Sequence, residues 1–161
     1  MPRTSYAIAL GSNRRHGRHG APEKVIAAAL AALEAQGVRV LRASPVIRTA
    51  AIGPAGRGFA NAAVIVECDL DPPALLALLK RTERAFGRRP GRRWGPRVLD
   101  LDIILWSGGG WAGPRLAIPH AAFATRAFVL DPLVRIAPDW RHPKTARTVR
   151  QMRARLGRAS G

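Results

Sequence analysis

The segment from Leu99 to Leu105 constrains the fold most, because apolar residues alternate there with the carboxylates Asp100 and Asp102. A period of two predicts a β-strand with one buried face, since successive side chains of a strand point to opposite sides. We therefore expect both aspartates on the exposed face of a strand. The opposite face should pack into a core through Leu99, Leu101, Ile103 and Leu105.

The two aspartates stand at positions i and i+2, which places their Cα atoms roughly 6.5–7 Å apart on one face. Two such carboxylates repel each other unless a positive charge lies between them. Mg²⁺ prefers oxygen ligands, commonly one or two carboxylates together with waters and substrate phosphates. A solvated strand face with surface ion pairs is nevertheless the more common setting for an isolated Asp-x-Asp, because so short a motif is unspecific.

The composition is that of a globular protein, and its charge is strongly basic. The chain has 161 residues, of which 47% are hydrophobic, and this length predicts a single domain over residues 1–161. Lysine and arginine number 27 against 10 acidic residues, which gives a formal net charge of +17. Such an excess is typical of nucleic-acid-binding proteins, and it equally suits an anionic small substrate such as a nucleotide.

Cys68 is the lone cysteine, which excludes an internal disulfide and fits a reducing compartment. The apolar run from Tyr6 to Leu10 is too short for a signal sequence or a membrane span. We therefore expect a cytoplasmic protein that does not associate with membranes.

The order of predicted elements is β-α-β-β-α-β. A strand from Ser5 to Leu10 precedes a helix that opens at Pro22 and stops at Gly37. Further strands are expected over 38–43, extended to 49, and over 61–68, followed by a helix capped by Asp71 and ended by Gly87. This pattern predicts an α+β fold, a ferredoxin-like sandwich with a mostly antiparallel sheet.

Beyond the Leu99–Leu105 strand, a C-terminal helical supplement is expected. Asp131-Pro132 predicts the cap of a short helix that continues to Ile136. A terminal helix over 145–156 would pack through Val149, Met152 and Leu156, with arginines on its other face. The fold alone does not assign a function.

Several polar and aromatic residues are candidates for chemistry, each with an ordinary structural explanation. Phe59 and Asn61 could stack on and hydrogen-bond a flat heterocycle, although a core phenylalanine and a turn asparagine are more common. Lys80 and Glu83 have the spacing of a solvated helical ion pair. His120 could contact a phosphate or a base, although a histidine beside a proline is more often structural.

Two adjoining motifs make the chain recognisable. Arg93-Trp94-Gly95-Pro96-Arg97, followed by Leu99-Asp100-Leu101-Asp102-Ile103, resembles the signature of the 6-hydroxymethyl-7,8-dihydropterin pyrophosphokinase family. The resemblance extends over nearly the whole chain. Supporting matches are Gly11-Ser12-Asn13, Arg48-Thr49, Gly53-Pro54, Phe59-x-Asn61-Ala62-Ala63, Glu83, Gly87-Arg88, Pro119-His120 and Arg126-x-Phe128.

The resemblance implies that the diphosphate of ATP passes to the hydroxymethyl oxygen of the pterin and that AMP is released. Two Mg²⁺ ions would be held by Asp100 and Asp102, and Arg88 and Arg97 would neutralise phosphate charge. These metal ions and arginines would replace a Walker lysine loop, because the chain has no G-x-x-x-x-G-K-[ST] motif.

The same resemblance implies a division of the remaining site residues into two groups. The pterin would be bound by Thr49, Ile52, Phe59, Asn61 and Phe128. The nucleotide would be bound by Lys80, Glu83, Trp94, Ile103, Arg115, His120 and Arg126. Trp94 lies in a glycine- and proline-containing arginine loop, for which the resemblance implies closure over bound substrates.

The chain departs from the family's common pattern at several positions. These are Ala50, Phe59, Lys80, Ala117 and Ala121, together with an arginine loop that is one residue short near Pro90. The departures affect residues on the nucleotide side more than the aspartates.

Two alternatives to the enzyme interpretation remain at this point. The first is a basic ferredoxin-like nucleic-acid-binding module, but the paired aromatics of an RRM signature are missing. Carboxylates at Asp100 and Asp102 would also repel a nucleic-acid backbone. The second is a relative with an altered substrate. We expect small-molecule substrates, no nucleic-acid or membrane partner, and a monomer.

Overall fold

The computed structural model describes residues 2–13, 20–49, 59–87 and 98–160. Within these residues, five strands form one antiparallel sheet in the order β2-β4-β1-β5, with β3 paired to β4. The elements are β1 (Thr4–Ser12), α1 (Pro22–Ala35), β2 (Arg39–Ala43), β3 (Ile47–Thr49), β4 (Phe59–Cys68), α2 (Pro72–Ala85), β5 (Asp100–Trp106), β6 (Trp111–Ala112), β7 (Ala117–Ile118), α3 (Ala127–Ile136) and α4 (Val149–Ser160). The predicted ferredoxin-like α+β fold is confirmed.

Helices cover both faces of the sheet. On one face, Tyr6, Ile8 and Leu10 of β1 belong to the larger core cluster, which also contains apolar residues of α1 and α2. On the other face, Ala7 and Ala63 belong to a second cluster with residues of α3 and α4. The small alanines leave room for α3, which packs directly against β4. The predicted C-terminal helical supplement is therefore one complete layer of the core.

The expected alternation in β5 is wrong at Leu105, because the strand contains a bulge. Ile8 of β1 pairs with Ile103, and the preceding Ala7 pairs with Leu105, so Ile104 is an extra residue on β5. A bulge of this kind turns all following side chains to the opposite face. Leu105 consequently packs in the cluster beside α3, whereas Leu101 and Ile103 pack on the α1 and α2 side.

The signals at the ends of α1 and α2 are confirmed. Asp71 caps α2, since its Oδ1 accepts a hydrogen bond of 2.9 Å from Ala74 N. Both helices begin with a proline in the first turn and are followed by a glycine with positive φ, 86° at Gly37 and 111° at Gly87. A left-handed residue just after the last turn is the usual way a helix ends.

The predicted starts of the two C-terminal helices are wrong. α3 begins at Ala127, and Asp131 and Pro132 lie inside it, so Pro132 cannot donate to the carbonyl four residues earlier. The buried face of α3 packs in the second core cluster, and this tertiary packing overrides the Asp-Pro start signal.

α4 begins at Val149 instead of 145 because of a reciprocal cap. Gln151 N donates to Thr148 Oγ1 at 3.1 Å, and Thr148 N donates to Gln151 Oε1 at 2.9 Å. Among the helices of the described ranges, none has the length and apolar character needed to cross a membrane.

Candidate active site

A cavity of about 620 Å³ opens where the ends of β1, β4 and β5 meet the start of α3. We call it the main cavity. It is lined by Ala9, Leu10, Gly11, Ser12, Asn13, Phe59, Asn61, Asp100, Asp102, Ile104, His120, Arg126, Ala127, Phe128 and Val129. Residues from four distant parts of the chain therefore meet at one edge of the sheet, and these include seven of the residues expected from sequence.

Two phenylalanine rings in the main cavity are exposed. Phe59 at the start of β4 is 44% exposed, and Phe128 in the first turn of α3 is 47% exposed. The other two phenylalanines, Phe86 and Phe123, are buried, with 5% and 1% of their surface exposed. The ordinary explanation of Phe59 as a core residue is thus wrong, and the exposed rings are available to stack on a flat aromatic ligand.

Asn61 lies inside β4, so the alternative of a turn asparagine is also wrong. Its strand partner is Gly11 of β1, which pairs on its other side with Asp100 of β5. A Cβ on Gly11 would lie 3.4 Å from Asn61 Oδ1, which leaves little spare room above the strand. The sheet therefore places the carboxamide of Asn61 and the carboxylate of Asp100 on the two strands that flank β1, beside the same small residue.

Asp100 and Asp102 both line the main cavity and are half-buried. They pair with Gly11 and Ala9 of β1, so the register of the sheet fixes their separation along the strand. The described residues contain no group of three or more His, Cys, Asp or Glu side chains arranged to hold a metal. A cation here would take its remaining ligands from water or phosphate, and two carboxylates with such partners suit Mg²⁺.

Glu83 is buried, so a solvated Lys80–Glu83 pair is not what the structure shows. Glu83 is 2% exposed, and its Oε2 accepts a hydrogen bond of 2.8 Å from Leu101 N. Lys80 Nζ donates to Oε1 of the same carboxylate at 3.3 Å. β5 lies at the edge of the sheet, so Glu83 supplies an acceptor for a backbone N–H between the two aspartates.

His120 and Arg126 bring polar groups to the wall of the main cavity. His120 N donates to Ile104 O at 3.0 Å, which ties this loop to β5. The imidazole Nδ1 accepts from Ala122 N at 3.2 Å, so the neutral ring carries its proton on Nε2. The Arg126 guanidinium lies 5.8 Å from the centroid of the Phe128 ring, a cation–π distance.

Four predicted nucleotide residues within the described ranges do not line the main cavity, namely Lys80, Glu83, Ile103 and Arg115. A second groove of about 900 Å³, which we call the α2 groove, is lined by Pro73, Leu76, Ala77, Lys80, Arg84, Trp111, Gly113, Pro114, Arg115 and Leu116. It combines three cationic side chains with apolar and aromatic surface. Ile103 lines neither space, because it is 3% exposed in the larger core cluster.

Some predicted residues cannot be placed. Ile52, Arg88, Trp94 and Arg97 lie outside the described residues. The backbone of Thr49 pairs with Phe59 at the edge of β4. The arginine loop and its closure therefore stay predictions.

Sequence reasoning did not assign a role to several residues that line these spaces, among them Asn13, Arg84 and Ile104. Asn13 follows β1 directly, and the Gly11-Ser12-Asn13 turn had already indicated an amide side chain at that point. Arg84 lies four residues after Lys80, and this helical spacing could have placed it in the α2 groove. Ile104 continues the alternation of Asp100 and Asp102, so the period of two could have placed it on the cavity face.

The comparison with family models is decisive. Residues 7–138 match the model of 7,8-dihydro-6-hydroxymethylpterin-pyrophosphokinase (HPPK). The chain belongs to this family. The match includes every described residue that lines the main cavity, from Ala9 to Val129.

Individual members of the HPPK family share about the same sequence identity with this chain. The chain is 41% identical to the 2-amino-4-hydroxy-6-hydroxymethyldihydropteridine pyrophosphokinase of Pseudomonas aeruginosa over 138 residues, 84% of this chain and 82% of that protein. It is 42% identical to the protein of the same name from Synechocystis over 116 residues, 72% of this chain and 60% of that protein. The match therefore spans less than two thirds of the Synechocystis protein.

Solved structures share the fold at much lower identity. A crystal structure of HPPK-DHPS in complex with substrates matches 99% of this chain and 44% of that chain, with a TM-score of 0.76 and 13% identity. The wild-type HPPK-DHPS of Plasmodium falciparum matches 96% of this chain and 41% of that chain, with a TM-score of 0.70 and 13% identity. These likenesses support the fold of an HPPK domain.

Proposed function

We propose that this HPPK-family chain transfers the β,γ-diphosphate of ATP to the hydroxymethyl oxygen of 6-hydroxymethyl-7,8-dihydropterin and releases AMP. One observation carries the proposal. Two exposed phenylalanines and a strand asparagine line the same cavity as a pair of carboxylates on one strand. A site for a flat heterocycle thus adjoins a site for a metal-bound phosphate chain.

The pterin would stack between Phe59 and Phe128, because large exposed rings bind flat heterocycles through dispersion and quadrupole contacts. Asn61 carries one acceptor and two donors on its side chain, which suits the amide-like edge of a pterin. Asn61 lies on β4, two strands from β5, so the bound ring would extend from Asn61 towards Asp100. Backbone groups near Thr49 and Ile52 would complete this edge.

Asp100 and Asp102 would hold magnesium, and we propose two ions. When bound, Mg²⁺ would neutralise the triphosphate and polarise the phosphoryl group that is transferred. The protein's part is to keep both carboxylates on one face at fixed spacing, which the pairing with β1 and the Glu83–Leu101 hydrogen bond achieve. The carboxylates thereby position the phosphate chain beside the pterin.

The nucleoside end of ATP would lie in the α2 groove. Trp111, Leu76 and Leu116 offer apolar surface there, and Lys80 and Arg115 offer donors for hydroxyl or phosphate oxygens. Lys80 bonds to Glu83, and Glu83 bonds to the backbone between the aspartates, so this contact chain joins the groove to β5. The triphosphate would pass around the edge of β5 into the main cavity.

The bond changes are those of an in-line displacement at the β-phosphorus. The pterin hydroxymethyl oxygen forms a bond to that phosphorus, the bond from the phosphorus to the oxygen bridging to the α-phosphate breaks, and the hydroxyl proton is released. His120 and Arg126 both line the main cavity. From there the Nε2–H of His120 and the guanidinium of Arg126 would donate hydrogen bonds to phosphate oxygens. Arg88 and Arg97 are proposed for the same purpose on the resemblance alone.

The direct test is AMP formation from ATP and 6-hydroxymethyl-7,8-dihydropterin in the presence of Mg²⁺. Asp100→Ala and Asp102→Ala should each lose nearly all activity. Asp139→Ala is the matched control, because Asp139 is 78% exposed in a surface pair with Arg150 and should retain activity. Salt-sensitive RNA binding without AMP formation would favour the nucleic-acid-binding alternative that the +17 charge raises.

We further propose that residues 1–161 act as one monomeric domain in the cytoplasm. Both core clusters share the same sheet, which supports a single domain. Phe59 and Phe128, two of the three large apolar side chains exposed in the described ranges, line the main cavity, which supports a monomer. The buried free thiol of Cys68 fits a reducing compartment. Sedimentation equilibrium would test the monomer.

A further inference from the structure

The side-chain oxygen of Asn13 is a buried acceptor without a hydrogen bond. Within the described residues, Asn13 Oδ1 is shielded from solvent and has no donor in reach. Buried acceptors are paired in the great majority of native structures, because an unpaired one destabilises the fold. Asn13 also lines the main cavity, so the missing donor can come from a bound molecule.

The position of Asn13 narrows the choice of that molecule. Asn13 follows Ser12, the last residue of β1, and β1 lies between β4 with Asn61 and β5 with Asp100. Gly11, two residues earlier, is the strand partner of both Asn61 and Asp100. The orphan oxygen therefore lies just beyond the point where the proposed pterin and phosphate sites adjoin.

The two proposed substrates, ATP and the pterin, differ in the hydrogen-bond donors that they could offer to Asn13 Oδ1. A carboxamide oxygen needs a hydrogen-bond donor, and a deprotonated triphosphate has only acceptors on its phosphates. A dihydropterin carries ring N–H groups and an amino group, and the exposed Phe59 and Phe128 rings would hold it in this cavity. The purine amino group of ATP would lie apart from Asn13, in the α2 groove.

We propose that Asn13 Oδ1 accepts a hydrogen bond from an N–H group of the bound pterin and thereby helps to orient the ring. This rests on the proposed function, since it assigns a further positioning residue to the same site. The bond would give Asn13 the partner that it lacks and would make pterin binding, but not metal binding, depend on this carboxamide.

The test is pterin affinity measured by titration calorimetry with a saturating nonhydrolysable ATP analogue and Mg²⁺. Asn13→Ala should weaken pterin binding about 3- to 10-fold, the effect of one neutral hydrogen bond, and leave the affinity for the Mg²⁺–nucleotide complex unchanged. Asn61→Ala serves as the positive control. Circular dichroism checks folding, and if Asn13→Ala does not fold, Asn13→Ser is measured in the same way.

Analogues of the pterin make the test specific. Two analogues are used, one without the 2-amino group and one methylated on a ring nitrogen. For at least one of them, wild type and Asn13→Ala should bind with equal affinity, because the bond is already missing. A merely structural role would instead lower the affinity for every analogue by the same factor, which would overturn the proposal.

The outcomes also separate this inference from the proposed function. If the wild type forms AMP but Asn13→Ala binds the pterin as tightly as the wild type, the assignment of Asn13 is wrong and the proposed function stands. A change in Mg²⁺–nucleotide affinity alone would mean that the oxygen faces a metal-bound water, which also overturns the assignment. If the wild type neither binds the pterin nor forms AMP, the proposed function is wrong, and the assignment with it.

Discussion

Replacing Glu83 should disturb the strand that carries the two aspartates. The Glu83 carboxylate is 2% exposed and accepts a hydrogen bond of 2.8 Å from Leu101 N, midway between Asp100 and Asp102. A hydrogen bond to a charged group contributes about 1.5–3 kcal/mol, and a neutral one about 0.5–1.5 kcal/mol. Glu83→Gln keeps the shape and an acceptor oxygen, so it should destabilise the protein by about 1 kcal/mol.

Glu83→Ala is the harsher change. It leaves Leu101 N–H without the acceptor that it has in the wild type, which costs about 1–3 kcal/mol for a buried donor. The loss of packed side-chain atoms adds to this cost. Urea unfolding gives both free energies. Glu67→Gln is the matched control, since Glu67 lies half-buried at 3.4 Å from Arg3 and should change stability by less than about 1 kcal/mol.

Activity measurements then distinguish positioning from direct contact with the nucleotide. If Glu83 holds β5 in place, Glu83→Gln should raise the Mg²⁺ concentration needed for half-maximal activity several-fold. If the residue contacts the nucleotide, as the family resemblance implies, nucleotide affinity should fall while stability stays at the wild-type value. Wild-type stability together with an unchanged Mg²⁺ requirement would refute the positioning argument.

Three further predictions follow from the described contacts. Phe128→Leu should raise the KM for the pterin about 3- to 10-fold in steady-state kinetics, because ring stacking is lost. Leu41→Ala on the exposed β2 is the control and should leave this KM unchanged. An equal rise in KM for the two variants would contradict the stacking role of Phe128. Burial, with two nearby cations, lowers the pKa of His142, so stability should be lost as pH falls below about 6.5. His142→Asn keeps a side-chain acceptor but cannot titrate. Its urea midpoints at about pH 5.5 and about pH 7.5 should therefore differ less than those of the wild type. An equal difference in the two proteins would show that His142 does not cause the loss of stability. Burial raises the pKa of the Cys68 thiol, which is 1% exposed, so a thiol reagent should label it only after unfolding, and rapid native labelling would exclude this environment.

The strands of the five-stranded sheet and the first two helices could be predicted because their signals are local. Asp71 and Pro72 mark the start of α2, and Gly87 marks its end, within a few residues of sequence. α3 could not be placed by such signals, because its first turn forms through packing against β4 and the second core cluster. The reciprocal cap of α4 had a readable Thr-x-x-Gln pattern, which the apolar spacing of 145–156 obscured.

The site shows the same division between local and long-range information. The alternation around Asp100 and Asp102 correctly put both carboxylates on one face, because two positions in one strand determine it. Phe59 is exposed although it begins a largely buried strand, and no local pattern reports this. The β5 bulge depends on the register of β5 against β1, and the unpaired state of Asn13 Oδ1 depends on which donors the fold brings near it. The amino-acid pattern contained neither.

The central claim is that one cavity holds the pterin between two phenylalanines and the phosphates on two aspartates. A crystal of the complex with Mn²⁺ in place of Mg²⁺, a nonhydrolysable ATP analogue and the pterin would test it through anomalous scattering. The account predicts anomalous peaks within about 2.0–2.6 Å of carboxylate oxygens of Asp100 and Asp102, the range for hard cations. It also predicts the pterin ring between Phe59 and Phe128. Metal peaks away from both aspartates, or a pterin bound elsewhere, would contradict it.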